Sequence, residues 1–188
     1  MAPEPTPMQD LEITSAAQLW DWLAAHYGQA ESVRLITWKA ATPQKYVSRE
    51  EVLDALIAHG WIDGRRFTVD DARTAQLIAP RQQQAWSQSY KDRVARLRQE
   101  GRMHDAGEAS VAEGQRSGLW DFFADVDALI VPEDLASALD LALWEALAPS
   151  YRRNVLRWIK LAKIPATRAK RIAATVSATA KGEKIPQM

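Results

Sequence analysis

The stretch SREEVLDALIAHGWIDGRRFTVDDARTAQLIAP, residues 48–80, changes its hydrophobic period partway along. Up to His59 the apolar residues Val52, Leu53, Ala55, Leu56 and Ile57 recur at helical spacing, behind a Ser48-x-x-Glu51 capping box whose side chains satisfy each other's backbone N–H groups. Gly60 ends that helix. Residues 61–69 and 73–79 are then rich in β-branched and aromatic residues, are separated by a polar break at Asp70-Asp71, and read as an antiparallel pair that Pro80 closes. A helix feeding directly into paired strands places the chain in the α+β class.

Working outward, Ser15-x-x-Gln18 is a second capping pattern. It opens a helix that carries Leu19, Trp20, Leu23 and Tyr27 to a stop at Gly28. Residues 33–39 form a short buried strand that completes a small antiparallel sheet. Downstream the pattern is helical: residues 87–100 with Tyr90, Val94 and Leu97 on one stripe, 105–115 up to a turn at Gly118, a proline-led helix from Pro132, then 150–163, and a last helix after Pro165. The expected fold is α+β and predominantly helical, with its small antiparallel sheet in the N-terminal half. Residues 1–11 are expected as a flexible tail, 12–118 as an α+β lobe, 119–180 as a helical lobe packing on the first, and 181–188 as a second tail.

The composition narrows the chemistry. With 188 residues the chain is long enough for one ordinary domain or two small lobes, and having no cysteine it has no disulfide, thiolate nucleophile or cysteine-held metal. Its first residues are acidic and proline-rich rather than basic and apolar, and no apolar run approaches the ~18 residues of a membrane span. A cytoplasmic protein with no membrane span is therefore expected. Lys plus Arg equals Asp plus Glu at 24 each, so no global field draws the protein to nucleic acid or membrane. The charges are nevertheless segregated: residues 119–148 hold seven acids and no base, whereas residues 149–188 hold ten bases and one acid. Such asymmetry marks either a binding face or two complementary segments packed on each other.

Several ordered motifs resemble one bacterial family. Gly60-Trp61-Ile62-Asp63-Gly64, then Pro80-Arg81, Trp86-Ser87 and Lys91, Gly101-Arg102-Met103 with Gly107, Pro132 with Leu135, and Ser150-Tyr151-Arg152-Arg153 followed by Trp158-Ile159, Ala162-Lys163, Pro165, Thr167-Arg168 and Arg171-Ile172 together resemble the YdeI/OmpD-associated family, over roughly residues 15–176. His59 stands where the family pattern has an aromatic, residues 82–85 replace a more basic linker, and Tyr90 replaces an asparagine. The resemblance implies a role of the bacteriocin-protection type and no agreed catalytic mechanism.

Each candidate residue has two readings. Asp63, flanked by Trp61, Arg65 and Arg66, is either an acceptor at the mouth of a site with Arg81, Trp86 and Arg102 or part of a tight Asp-Gly turn. Arg81, Arg102 and Lys163 either fork onto an anionic group or neutralise the acidic segment. Arg153, Arg157 and Lys160 are read as the solvent side of an amphipathic helix, ahead of a nucleic-acid face. Trp20, Trp61, Trp144 and Trp158 fit a core, while Trp22 lies off the stripe of its helix and suits a pocket or oligomer contact. His26, His59 and His104 lack metal-ligand spacing, Ser87 reads as a helix N-cap, and nothing places Asp125 and Asp127 in a cleft.

The expected function is thus binding rather than catalysis, with no cofactor and no metal. A peptide or small anionic ligand would lie in a groove built from Trp61, Asp63, Arg65, Arg81, Trp86, Ser87, Arg102, Lys163 and Arg168. An enzyme acting on a small anionic substrate, a nucleic-acid-associated protein using the basic C-terminal helices, and a homodimer stay open as alternatives.

Overall fold

The computed structural model describes residues 8–185, and the chain divides into two compact units, Met1–Asp121 and Phe122–Met188. The ends of the two expected tails, residues 1–7 and 186–188, lie outside the described residues.

The first unit is the α+β part. Its elements are β1 (Gln9–Glu12), α1 (Ala16–His26), β2 (Val33–Trp38), α2 (Arg49–Ala58), β3 (Trp61–Thr68), β4 (Arg73–Pro80), α3 (Gln88–Gln99) and α4 (Asp105–Arg116). The sheet order is β1-β2-β4-β3. The antiparallel β2-β4-β3 ladder is the expected one, and its β3/β4 register slips at a bulge between Asp63 and Arg66. The strand β1 corrects the expected tail. Gln9–Glu12 pairs in parallel with β2, Leu11 opposite Leu35, with α1 as the crossover, so the sheet is mixed rather than purely antiparallel.

Alternation sorts the sheet's two faces. Val33 and Leu35 on β2, Ile78 on β4 and Trp61 on β3 are fully buried against Leu19 and Leu23 of α1 and Val52, Ala55 and Leu56 of α2. The neighbours Arg34, Ile36, Arg73 and Ala75 point the other way. α2 is buried from Val52 to Ala58 because it has two partners: one side closes the sheet core, and the other, with Ile57 and Ala58, meets a second cluster of Trp86, Val94, Leu97 and Val111. The buried Asp54 on this helix accepts hydrogen bonds from Arg93 and from Arg96, the latter at 2.6 Å. The expected capping box at Ser48 and Glu51 forms in both directions.

The second unit is helical: α5 (Ala124–Asp127), α6 (Glu133–Ala136), α7 (Leu141–Glu145), α8 (Pro149–Lys160) and α9 (Pro165–Lys181). Phe123, Val126, Leu135, Trp144, Val155, Leu156 and Ile159 are among its buried apolar residues. Within the expected C-terminal tail, residues 181–188, Ile185 is buried and its N–H donates to the Tyr151 hydroxyl at 3.0 Å. Charge segregation becomes pairing here: Lys160 reaches Asp125 at 2.5 Å, Arg168 grips Asp134 at 2.6 and 2.8 Å, and Arg157 lies 3.9 Å from Asp127. Arg157 and Lys160, expected on the solvent side, therefore turn toward the acidic segment and also cover the rings of Phe123 and Phe122.

Candidate functional site

β3, β4 and α3 bring part of the expected constellation together in the first unit. Asp63 lies just before the bulge in β3, where its carboxylate accepts from the Tyr90 hydroxyl on α3 and, through Oδ2, from the Gln76 side-chain amide on β4 at 3.1 Å. Gln76 is buried, and its Oε1 accepts from Arg66 at 3.2 Å, so a polar chain runs Arg66–Gln76–Asp63–Tyr90. This is more than a local turn: β3 continues through Asp63 and Gly64.

Arg81 sits where β4 ends. Its backbone N–H donates to Gly60 O at 2.8 Å, its guanidinium lies 3.9 Å from the centroid of the Trp86 ring and 5.1 Å from that of Tyr90, and Nη1 donates to Gln84 O at 3.1 Å. Nε and Nη2 are closed off from solvent and have no hydrogen-bond partner among the described residues. Burial lowers the guanidinium to about 10, against the opposing pull of Tyr90 and Asp63, so the group still carries its charge at neutral pH. Burial, and then the bond to Asp63, push the Tyr90 hydroxyl up to about 12.

The same guanidinium edge is used repeatedly elsewhere in the molecule. Arg34 presents Nε and Nη2 to Asp10, Arg73 to Asp70, Arg98 to Glu108, Arg116 to Glu113 and Arg168 to Asp134. On Arg81 that edge makes no hydrogen bond or ion pair with a carboxylate among the described residues, although it is the more deeply placed.

The other expected residues are distributed differently. Trp61 is fully buried in the sheet core with Trp22 edge-on at 5.5 Å, and Trp86 is fully buried in the second cluster, where its indole lies against Gly114 and Trp120. The two rings thus occupy separate clusters and serve as packing, with Trp86 backing Arg81. Arg65 is exposed over Phe67. Arg102 is exposed, pairs with Glu100 at 3.0 Å and covers Trp20. Ser87 stands at the N-cap of α3, but its hydroxyl meets Ser89 rather than the helix backbone. Lys163 and Arg168 belong to the second unit, where Lys163 is exposed and Arg168 is taken up by Asp134. Reading the sequence missed Tyr90 and Gln76. Tyr90 falls on an apolar stripe in the sequence, and the available signal for Gln76 is a long polar side chain on the core face of a strand.

Among the described residues no group of three or more His, Cys, Asp or Glu side chains could hold a metal, and no helix is long and apolar enough to cross a membrane. Comparison with known families gives two matches. Residues 11–110, more than half of the chain, match the family described as Domain of unknown function (DUF8412), and residues 128–182 match the family described as Bacteriocin-protection, YdeI or OmpD-Associated. The second match covers the C-terminal part, so the motifs between Gly60 and Gly107 fall in the span of the first. No curated protein and no solved structure matches the chain.

Proposed function

Because the chain belongs to the family described as Domain of unknown function (DUF8412) and carries a C-terminal segment matching the YdeI/OmpD-associated family, membership brings no activity, and we propose from the geometry that its first unit binds a small anionic ligand on Arg81. The observation that carries this is the buried Nε and Nη2 edge of Arg81, without a partner among the described residues. A buried donor left unpaired costs about 1–3 kcal/mol, and more when charged, so an anion offering two oxygens to that edge gains what the folded chain forgoes. Carboxylate and phosphate both have that shape. Trp86 fixes the plane of the guanidinium from one side and the Gln84 carbonyl occupies Nη1, which leaves the Nε–Nη2 edge for the ligand.

Binding fits this cluster better than proton transfer. Tyr90 holds its proton up to about pH 12 and Arg81 up to about pH 10, so neither exchanges one near neutrality. A peptide's terminal carboxylate presents the same two oxygens as a free carboxylic acid, which keeps a peptide-directed protective role, the sense of the C-terminal family's description, within this reading.

The test is calorimetric titration with inorganic phosphate, acetate, and a short peptide in free-acid and amide forms. The wild-type protein should bind phosphate or a carboxylate saturably and discriminate against the amide. Arg81→Met, which keeps the stem over Trp86, should abolish the signal while Arg102→Met preserves it. Binding undiminished in Arg81→Met would sink the proposal.

A further inference from the structure

The outer face of the sheet in the first unit carries a second, chemically different place. A cavity of about 640 Å³ opens there, walled by residues of all four strands. Its floor is Ile36 and Ala75, which are only 7 % and 2 % exposed although they lie on the face away from α1 and α2. Phe67 and Val69 rise beside it and stay 40 % and 42 % exposed, so an apolar wall of two large side chains faces open space.

The polar lining is two acid–base pairs. On one side Asp10 is gripped by Arg34 through Nε at 2.6 Å and Nη2 at 2.5 Å. On the other, Arg73 donates from Nη1 to Glu12 at 2.7 Å while its remaining edge holds Asp70. Asp10 and Glu12 are two residues apart on one strand, which separates the pairs by about 7 Å along the sheet. Neither pair is saturated: the Nη1 group of Arg34 and one oxygen of Glu12 make no hydrogen bond among the described residues.

We propose that this cavity is a binding site for a small zwitterion with an apolar side chain, in the class of an apolar amino acid. Two guanidinium groups and two carboxylates line it, so a ligand carrying only negative charge meets Asp10 and Glu12, and one carrying only positive charge meets Arg34 and Arg73. A ligand with both charges engages both pairs: its carboxylate meets Arg34, its ammonium meets the free oxygen of Glu12, and its side chain covers Ile36 against Phe67. The pairs are 31–48 % exposed, so each contact is modest and binding is weak, with specificity coming from the joint requirement for two charges and an apolar group.

Amide-resolved NMR titration of the full chain tests this with L-phenylalanine, N-acetyl-L-phenylalanine, L-phenylalanine amide and glycine. Phenylalanine should shift the Ile36 and Ala75 amides saturably. Removing either charge or the side chain should weaken binding by about fivefold or more. Glu12→Gln should bring phenylalanine down to the level of the N-acetyl form, and Arg34→Met to the level of the amide, with the rest of each spectrum reporting an intact fold. Arg81→Met should change nothing here, so the outcome is separate from that of the anion site. Equal binding of phenylalanine and either blocked form, or shifts that fail to saturate, would overturn the proposal.

Discussion

His59 and His104 stack with ring centroids 5.0 Å apart, and their ring nitrogens have opposite duties. Nδ1 of His59 lies 2.8 Å from the Ala55 carbonyl and so donates, whereas Nδ1 of His104 accepts the Ala106 N–H at 3.1 Å as the cap of α4. Burial, the largest cause, holds His59 below its ordinary value of 6.5; the Ala55 carbonyl opposes this and His104 adds to it. With the folded value below the unfolded one, the unfolded chain takes up a proton first as pH falls. Stability should therefore be flat above about pH 6.5 and decline below it until the folded ring itself titrates. Urea unfolding at about pH 7.5 and about pH 5.5 should show this loss in the wild type and a smaller one in His59→Phe; an equal loss in both would assign it to other groups. At this scale Asp63, Arg81 and Trp86 could be read in the sequence as belonging together. The partners of Asp63 could not, because a hydroxyl 27 residues away and an amide 13 residues away become neighbours only when α3 and β4 are folded against β3.

The helices differ in how much of their placement is written locally. The capping box of α2 is a four-residue pattern and it forms as read; Ser48→Ala should cost about 1 kcal/mol, measured as a shift of the urea midpoint without a change of slope. α4 is set by contacts no local pattern announces. A side chain at Gly107 would bring Cβ to 2.1 Å from the Ala58 carbonyl oxygen, and one at Gly114 to 2.4 Å from Nε1 of Trp86. These two glycines, two helical turns apart, let α4 lie directly on the end of α2 and on the indole that supports Arg81. Gly107→Ala should destabilise by roughly 1–3 kcal/mol or more, since backbone rather than a flexible side chain must give way. Thermal melting checks it, and an unchanged midpoint would contradict the close approach. The strand β1 was illegible for a related reason. Four residues with one apolar member carry no strand signature of their own, and Gln9–Glu12 is a strand only because β2 offers an edge in register.

At the scale of the molecule the zero net charge conceals many local pairs. Hydrogen bonds from Arg34, Arg73, Arg98 and Arg168 hold Asp10, Asp70, Glu108 and Asp134 below their ordinary carboxylate values. Lowered folded values mean a contribution fully present above the unfolded values of 3.8 and 4.5 and lost as pH falls through the folded ones. Acid titration of the melting temperature should thus show a second, steeper decline below about pH 4, beyond the histidine step, and added salt should shrink it because the pairs are solvent-accessible. A decline insensitive to salt would contradict that origin. The α+β class, the antiparallel core of the sheet and the helices α1–α4, α6, α8 and α9 followed from periodicity, caps, prolines and glycine stops, whereas the short α5 and α7 were not read from the sequence. The fate of the segregated charges did not, because composition is the same whether acidic and basic segments face solvent or each other.

Side-chain NMR of the arginine Nε–H groups during titration with phosphate and with acetate tests whether the edge of Arg81 is held ready for an anion. The Arg81 Nε–H resonance should move saturably with at least one of them, while those of Arg73 and Arg168, whose edges already hold carboxylates, stay in place. An Arg81 resonance that stays fixed with both anions would contradict it.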